Sequence, residues 1–388
     1  MQQPNFSFHF PTRVRFGAGV LGQLPDELRG LGARRIFLLT DSGLVKVGLA
    51  DRIEILIRGV GLEVRVFSDI ETNPTAATVA RALEAARAFG PEAIVAVGGG
   101  SPIDVGKVVA FLLTNPGSLA EYQWEGRKIA TAPVPLIAVS TTSGTGSEVT
   151  RTAVILDRNT KKGIVSDHLF PRTALVDPEL TRSMPPKLTA ATGVDALSHA
   201  LEAYVGKGIH PLTESWALWA VELIMAALPR AYADGDDLAA RADMALASSM
   251  AGVAMDQSGL GIIHSMASPL SGLFNVHHGL ANAVLLAAGM RFNLPVVPER
   301  HARLARALGV GLAGLGPAEA SEAMAKRLDD FVTGLGIDCN LALLGVKESD
   351  LEPMGRETTG IFLLRNNPRP ANAEECTAIF RSLWRRVS

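Results

Sequence analysis

Four side chains in the second half of the sequence have the types and spacing of a metal site. Asp195 and His199 are four residues apart in a helical pattern, so they lie on one face, about one turn apart. Such a pair is more often solvated than metal-bound, but this one stands among apolar neighbours, where an unpaired charge is costly. His264 and His278 also lie in highly apolar stretches, although a single histidine in such a stretch is usually a core residue bonded to a backbone carbonyl.

Together the four residues supply three imidazoles and one carboxylate. This set suits Fe(II), Zn(II), Co(II) or Ni(II) better than Mg(II) or Ca(II). The chain has only two cysteines, Cys339 and Cys376, and they lack the paired spacing of a thiolate zinc site. The sequence therefore predicts a metal held by nitrogen and oxygen, and it leaves the identity of that metal open.

A glycine-rich turn is the first candidate for nucleotide binding. Residues 94–104 read as a buried strand, then Gly98, Gly99 and Gly100, then a helix with Ser101 as N-cap and Pro102 at its first position. Glycines let the backbone approach an anion, and a helix start favours negative charge, which indicates a pyrophosphate site. A tight turn without a ligand explains the glycines nearly as well. Neither G-x-G-x-x-G nor the P-loop pattern is met.

Two further segments could contact a nucleotide. The loop from Thr141 to Glu148 follows the strand at 136–139 and offers hydroxyls and backbone donors, although by itself a Ser/Thr-rich connection explains it better. Asp41 follows the strand at 36–40, where a carboxylate can accept a hydrogen bond from a ribose 2′-OH and repel a 2′-phosphate. Asp41 therefore favours NAD over NADP, but an aspartate that caps the next helix explains it equally well.

Composition limits the class of protein. The chain has 388 residues, is 47% hydrophobic and carries a net charge of -2. This length suggests two domains around a shared cleft, and the charge gives no electrostatic reason to expect a nucleic-acid or membrane partner. The start lacks the features of a signal peptide, and no run of 18 apolar residues avoids charge. We therefore expect a soluble, cytoplasmic protein.

The elements that must position these residues change in type along the chain. Short apolar runs alternate with helical patterns from residue 34 to about 178, which predicts βαβ units and a mainly parallel sheet. The predicted strands are 36–39, 63–67, 94–97, 136–139 and 174–176. After Met184-Pro185-Pro186 only helical patterns follow, at 187–205, 213–232, 238–255 and 318–335. The proline pair predicts a boundary near 184, between an α/β domain over 1–184 and an all-α domain over 185–388.

As a set, these residues resemble the iron-containing alcohol dehydrogenases, and the resemblance spans nearly the whole chain. The motifs that carry it are Asn73-Pro74-Thr75, Gly98 through Asp104 to Lys107, Thr141 to Glu148, Met184-Pro185-Pro186, Ala191 to Ala200, His264-Ser265-Met266-Ala267, His278-Gly279-Leu280-Ala281-Asn282 and Asn367-Pro368-Arg369. Their order and joint occurrence make chance an implausible explanation.

The resemblance implies a fold and a set of ligands. It implies a Rossmann-like α/β dinucleotide-binding domain followed by an all-α metal-binding domain, together a dehydroquinate synthase-like fold with the active site in the cleft. The implied iron ligands are Asp195, His199, His264 and His278. The implied contacts of the cofactor, NAD, are Asp41, Asn73, Gly99, Gly100, Ser101, Asp104, Thr141, Thr142, Thr145 and, across a small alignment gap, Lys161.

The resemblance also implies a reaction and an assembly. A hydride passes between NAD(H) and a small primary alcohol or aldehyde, while the metal acts as a Lewis acid on the substrate oxygen. The residues implied to line the substrate pocket are Thr152, Met255, Leu260 and Leu363. A homodimer or higher homo-oligomer is implied, paired across a two-fold axis through the segment that includes Val14-Arg15-Phe16-Gly17.

One position departs from the family pattern. The family usually has a histidine four residues beyond the third ligand, near substrate and nicotinamide, and this chain has Ser268 there. The hypothesis for proton relay therefore falls on His277, directly before the fourth ligand, or on a water held by Ser268. Two alternative functions remain: a polyol dehydrogenase of the related glycerol dehydrogenase branch, and a nucleotide- and metal-binding protein whose catalysis has lapsed, as Ser268 suggests.

Overall fold

The chain folds into two compact units. The structure is a computed structural model that describes residues 5–158 and 160–385. One unit comprises Phe10–Thr142 and Gly146–Arg182. The other comprises the described residues up to His9, the short segment Ser143–Thr145 and the described chain from Ser183 onward. The domain boundary between residues 184 and 185 stays a prediction of the sequence.

The first unit is an α/β unit built on a parallel sheet. Its strands are β1 (Arg13–Phe16), β2 (Arg35–Leu39), β3 (Glu63–Phe67), β4 (Ala93–Gly98), β5 (Leu136–Ser140), β6 (Thr152–Asp157), β7 (Thr160–Val165) and β8 (Thr173–Val176). Six of them form one parallel sheet in the order β1-β8-β5-β4-β2-β3, and β6 pairs with β7 as an antiparallel hairpin. Its helices are α1 (Leu24–Gly30), α2 (Ser42–Lys46), α3 (Leu49–Arg58), α4 (Ala76–Phe89), α5 (Gly100–Leu112) and α6 (Leu119–Gln123).

The central strands follow from continuous apolar runs. β4 and β5 are buried along their whole length, as is typical of parallel strands covered by helices on both faces. The five predicted strands correspond to β2, β3, β4, β5 and β8, which confirms the α/β class of this part of the chain. The sequence interpretation missed β1 and the β6–β7 hairpin, whose charged and exposed residues break the apolar pattern.

The second unit has helices and no strand among its described residues. Its helices are α7 (Pro186–Val205), α8 (Pro211–Ala233), α9 (Leu238–Ser258), α10 (Ile262–Phe274), α11 (His278–Asn293), α12 (His301–Leu308), α13 (Pro317–Gly334), α14 (Leu351–Gly360) and α15 (Ala373–Leu383). α7 begins at Pro186, a residue that suits the first position of a helix, and is buried from Thr189 to Val205. A helix buried on all sides is the core element of its unit.

One segment of the described chain passes a length and composition test for a membrane span. It is His278–Val296, which comprises α11 and the turn after it, and 67% of it is buried within the structure. A mostly buried core helix passes the same test, so this segment is weak evidence for a membrane span.

Candidate functional site

Three helices of the helical unit bring the four predicted metal ligands together. Asp195 and His199 lie one turn apart on α7, His264 lies in the first turn of α10, and His278 begins α11. One ligand atom from each of the four lies within 4.8 Å of the others. Asp195, His199 and His264 are buried and His278 is half-buried, so solvent reaches the cluster on the His278 side.

The cluster is arranged around one oxygen atom. Asp195 Oδ1 lies 3.8 Å from Nε2 of His199, 3.8 Å from Nε2 of His264 and 3.9 Å from Nε2 of His278. The rings of His199 and His264 stack with their centroids 4.7 Å apart. Two metal–ligand bonds of about 2.0–2.2 Å each can span donors at these separations. The donor set therefore fits a single divalent transition metal ion.

Local backbone features place His278 beside α7. Asn275 ends α10 in the left-handed conformation with φ of 52°, which asparagine tolerates better than most residues. At the start of α11, a Cβ on Gly279 would lie 2.5 Å from the carbonyl oxygen of Ala191 and 3.3 Å from Cβ of Asp195. Glycine is therefore needed at position 279, because any side chain would push α11 away from the ligands on α7.

The electrostatics of the cluster favour forms that bind a cation. Burial opposes ionisation of Asp195, but the three imidazoles, His199 first, and the amide of Asn282 outweigh it and lower the pKa of Asp195 to about 2. Burial lowers the pKa of His199 to about 4, against the attraction of Asp195. A carboxylate and a neutral imidazole are the protonation states that coordinate a metal.

Two polar side chains that the sequence interpretation did not select contact the ligands. Asn282, four residues after His278 on α11, donates from Nδ2 to Asp195 Oδ1 at 2.6 Å. Glu202, three residues after His199 on α7, places Oε2 at 2.6 Å from Nδ1 of His264. Their spacing from His199 and His278 could have indicated both residues, because residues three and four apart share a helix face.

The predicted phosphate-binding loops meet at the carboxyl ends of β4 and β5. Thr141 donates its backbone N–H to the carbonyl of Gly98 at 3.1 Å, and a Cβ on Gly99 would lie 3.0 Å from Oγ1 of Thr142. Gly98 has φ of 151°, and a Cβ there would lie 2.5 Å from Cγ of Pro102. Thr142 Oγ1 is buried without a hydrogen-bond partner in the described structure, as fits an atom that meets a ligand.

The start of α5 differs from the sequence prediction. The helix begins at Gly100 with Gly99 as its N-cap, rather than with Ser101 as N-cap. The Ser101 hydroxyl instead donates to the carbonyl of Thr72 at 2.5 Å. Because Gly99 has no side chain, no side-chain cap occupies the first N–H groups of α5, and these groups suit an anion.

The other residues predicted to contact a nucleotide occupy several places. Asp41 lies just beyond β2 and caps α2, since its Oδ1 accepts from the N–H of Leu44 at 3.0 Å. The capping role that the sequence left open is thus present. Asn73 is buried in the segment before α4. The carbonyl of the neighbouring Pro74 accepts from the N–H of Leu156 in β6. Lys161 lies in β7, directly opposite Leu156. Thr145 belongs to the short segment Ser143–Thr145 of the helical unit.

Asp104 is held within the α/β unit by both carboxylate oxygens. Oδ1 accepts from Ser147 Oγ at 2.5 Å and Oδ2 accepts from the N–H of Val154 at 3.0 Å. Burial raises the pKa of Asp104, against the attraction of Lys107 and of Lys161. The structure thus shows Asp104 tying α5 to the loop and strand that follow β5, and its contact with a cofactor stays a prediction.

The two candidates for proton relay lie close to the metal ligands in the chain. Ser268 stands one turn after His264 on α10, and its Oγ is buried without a hydrogen-bond partner in the described structure. His277 is half-buried at the N-cap position of α11. The four predicted pocket residues are all half-buried: Thr152 in the α/β unit, and Met255, Leu260 and Leu363 in the helical unit.

Comparison with known proteins gives matches along the whole chain. The family model described as iron-containing alcohol dehydrogenase matches residues 11–178, and the one described as Fe-containing alcohol dehydrogenase family, C-terminal, matches residues 189–384. The 1,3-propanediol dehydrogenase of Klebsiella pneumoniae is 39% identical over 98% of this chain and 99% of its own. The NAD-dependent methanol dehydrogenase of Bacillus methanolicus is 36% identical over 97% of this chain and 99% of its own. A crystal structure of 1,3-propanediol oxidoreductase superposes with a TM-score of 0.94 at 38% identity and covers 98% of this chain and 100% of its own.

Proposed function

The chain belongs to the iron-containing alcohol dehydrogenase family, and from this premise we propose that it interconverts small primary alcohols and aldehydes with NAD(H) and a bound divalent metal, iron in the first place. The observation that carries the proposal is the convergence of Asp195, His199, His264 and His278 within 4.8 Å. As a member of this family the chain is an alcohol oxidoreductase.

In the proposed mechanism the protein supplies binding, orientation and charge. Asp195 and the three histidines would hold the metal, which when bound supplies Lewis-acid polarisation of the substrate oxygen. The N–H groups at the start of α5 would bind the cofactor phosphates, and Thr142 Oγ1 would supply a further polar contact. Of the residues implied to contact the substrate, Met255, Leu260 and Leu363 of the helical unit are apolar, which suits a small alcohol better than a sugar acid.

The proton of the alcohol needs an acceptor in this mechanism. Ser268 cannot serve as a base near neutral pH, but its buried hydroxyl can hold a water molecule. His277 carries an imidazole, whose usual pKa suits proton transfer near neutral pH. Both roles are proposals, and the variants Ser268→His and His277→Ala distinguish them.

The proposed preference for NAD rests on Asp41. Its Oδ1 caps α2, and we assign Oδ2 to the ribose 2′-OH of NAD, where the carboxylate would repel the 2′-phosphate of NADP. Asp41→Gly should raise kcat/KM for NADP about tenfold or more and lower it for NAD. Asp51→Gly, at an exposed position in the first turn of α3, is the control. A wild type that uses NADP more efficiently than NAD would overturn the assignment.

The proposed activity is tested by anaerobic reconstitution. The purified protein is stripped of metal, loaded with Fe(II), Zn(II) or Co(II), and assayed against primary alcohols, polyols and the matching aldehydes with both cofactors. We expect turnover of small primary alcohols with NAD only after metal loading. Faster turnover of glycerol-type polyols would favour the polyol dehydrogenase alternative. Metal and NAD binding without turnover of any substrate would favour a lapsed enzyme.

Two further proposals concern the state of the protein in the cell. We propose a cytoplasmic location, supported by the near-neutral charge of -2 and by the mostly buried position of the one segment among the described residues that is long and apolar enough to span a membrane. We also propose a homodimer or higher homo-oligomer that takes only small-molecule partners. Fractionation of the source cells and light scattering of the purified protein test these two proposals.

A further inference from the structure

Glu202 is a buried carboxylate that the proposed mechanism does not yet use. It lies on α7, three residues after His199, and only 1% of its surface is exposed. Taking a carboxylate out of water is costly unless hydrogen-bond donors replace the water. The donors around Glu202 therefore indicate what the side chain does in the fold.

Three donors from the first turn of α10 converge on Glu202. Oε1 accepts from the N–H of Ile263 at 2.6 Å, and Oε2 accepts from the N–H of His264 at 3.4 Å. Oε2 also lies 2.6 Å from Nδ1 of His264. The same carboxylate thus holds both the backbone and the ring of one proposed metal ligand.

The contact between Glu202 and α10 needs a residue without a side chain at the start of this helix. A Cβ on Gly261, the N-cap of α10, would lie 2.5 Å from Oδ1 of Asn367 and 3.1 Å from Oε1 of Glu202. Asn367 Oδ1 accepts from the N–H of Ile262 at 3.0 Å. Asn367 and Glu202 therefore share the capping of α10, and only Glu202 also reaches the ring of His264.

We propose that Glu202 is a positioning residue that fixes the tautomer and orientation of His264, an inference that rests on the proposed metal site. Because both carboxylate oxygens accept, Nδ1 of His264 carries the proton and Nε2 keeps its lone pair for the metal. The other end of the ring agrees: Asn282 Nδ2, which can only donate, lies 3.1 Å from Nε2 of His264. Glu202 thus fixes the ring from the Nδ1 side, and the Asn282 amide has to release Nε2 before a cation can bind there.

Glu202→Gln separates this role from simple space filling. Glutamine has the same shape, but one of its two terminal atoms is an amide nitrogen that donates. If that nitrogen faces Ile263, it meets the backbone N–H of Ile263, and neither donor has an acceptor. If it faces His264, Nδ1 must accept and the proton moves to Nε2, which then cannot bind a metal. Glu202→Asp keeps two accepting oxygens on a shorter side chain and should restore part of the function.

The first measurement uses the metal-free full-length protein. Two-bond proton–nitrogen NMR of histidine labelled with ¹⁵N, assigned with His264→Ala, reports which ring nitrogen carries the proton. We expect His264 protonated at Nδ1 in the wild type and a mixed or reversed tautomer in Glu202→Gln. A wild-type His264 protonated at Nε2 would overturn the proposal without any metal being present, even if Glu202→Gln failed to fold.

The second measurement is the affinity for Co(II), by competition with a chelator and by the visible spectrum of the bound ion. We expect Glu202→Gln to lose about 10–100-fold in affinity, as is usual when a second-sphere partner of a ligand is removed, and Glu202→Asp to lose less. Asn367→Ala is the matched control, because it weakens the same helix start without touching the ring of His264. The melting temperature of Asn367→Ala should fall, while the affinity of this variant for Co(II) should change less than threefold.

These results separate the inference from the proposed function. Equal affinity of wild type and Glu202→Gln, or an equal loss in Asn367→Ala and Glu202→Gln, would overturn the role of Glu202 while leaving the metal site intact. A wild type that binds no Co(II) would refute the proposed metal site, and the tautomer of His264 would still decide whether Glu202 orders the ring.

Discussion

At the scale of single residues, burial and the neighbouring side chains together set the protonation states of the candidate ligands. The carboxylate of Asp195, with its pKa lowered to about 2, and the imidazole of His199, with its pKa lowered to about 4, are ready for a cation across the neutral range. In the proposed site, a metal would neutralise the charge of Asp195 without first displacing a proton from His199.

The first residue-scale prediction concerns Ser268. If an imidazole at this position normally accepts the alcohol proton, Ser268→His should raise kcat for alcohol oxidation near neutral pH, by about tenfold or more, because a positioned base contributes about 10²–10⁴-fold. Bound metal should not change, since Ser268 is not a proposed ligand. Ser268→Asn adds bulk without a base and is the control. The pH–rate profiles of the variants give the answer.

The competing relay is His277, and the same experiment includes it. His277→Ala should keep its metal and most of its activity if Ser268 with a bound water is the route. An unimproved Ser268→His together with a metal-replete but strongly impaired His277→Ala would move the role to His277. The half-buried position of His277 at the start of α11 is compatible with either result.

Some residues of the candidate site could be predicted from their spacing in the sequence, and others are revealed only by tertiary contacts. Asp195 and His199 were visible because helical periodicity puts them on one face, and the structure brings His264 and His278 to them. Glu202 and Asn282 were on the same helix faces, but nothing in their spacing alone tells a buried second contact from a solvated side chain. Only the tertiary packing of α7 against α10 and α11 reveals their partners.

At the scale of elements, the site depends on how closely α11 approaches α7. Gly279→Ala would place a Cβ 2.5 Å from the carbonyl oxygen of Ala191, so the start of α11 must shift and His278 must move with it. We expect at least a tenfold loss of metal affinity and a loss of roughly 1–3 kcal/mol in unfolding free energy. Chelator competition and urea unfolding measure the two effects.

A matched control separates the two effects of Gly279→Ala. In Gly355→Ala a Cβ would clash with Oγ1 of Thr377 and lie 2.8 Å from the carbonyl oxygen of Ala373, which is a comparable clash between helices that carry no proposed ligand. This variant should lose stability and keep its metal affinity. If Gly279→Ala kept full metal affinity, the close packing of α11 on α7 would not be what positions His278.

The sequence anticipated the regular elements better than the irregular ones. Continuous apolar runs predicted β4 and β5, and helical periodicity predicted α7 to within a residue at its start. β1 was missed because it has only four residues, two of them arginines, and all four are exposed. The start of α5 was misjudged because local cap preferences favour Ser101, while the hydroxyl of Ser101 is bonded to Thr72 instead.

At the scale of the whole molecule, β1 bears on assembly. It stands at the edge of the six-stranded sheet, pairs within the described chain only with β8, and leaves Val14 38% and Phe16 40% exposed. The free backbone edge of such a strand can pair with another chain, and the side chains of Val14 and Phe16 add apolar surface beside it. We expect a dimer with isologous contacts through this segment, and light scattering at micromolar concentration should give twice the chain mass of 41.0 kDa.

Substitution at the edge tests where the dimer forms. Val14→Asp with Phe16→Asp should shift the protein toward monomer, because two charges would be buried without partners in the pairing. Val47→Asp, at a still more exposed apolar position on the same unit, should leave the assembly unchanged. A wild type that is already a monomer at micromolar concentration would refute the prediction.

The central claim is that Asp195, His199, His264 and His278 form one metal site, and the metal content of ligand variants tests it most directly. Wild type, His264→Ala and His278→Ala are loaded anaerobically with Fe(II), desalted and analysed for iron per chain, with circular dichroism to establish folding. We predict about one ion per chain in the wild type, and folded but metal-free and inactive variants, because each substitution leaves an incomplete site. Full iron occupancy together with full activity in both variants would contradict the account.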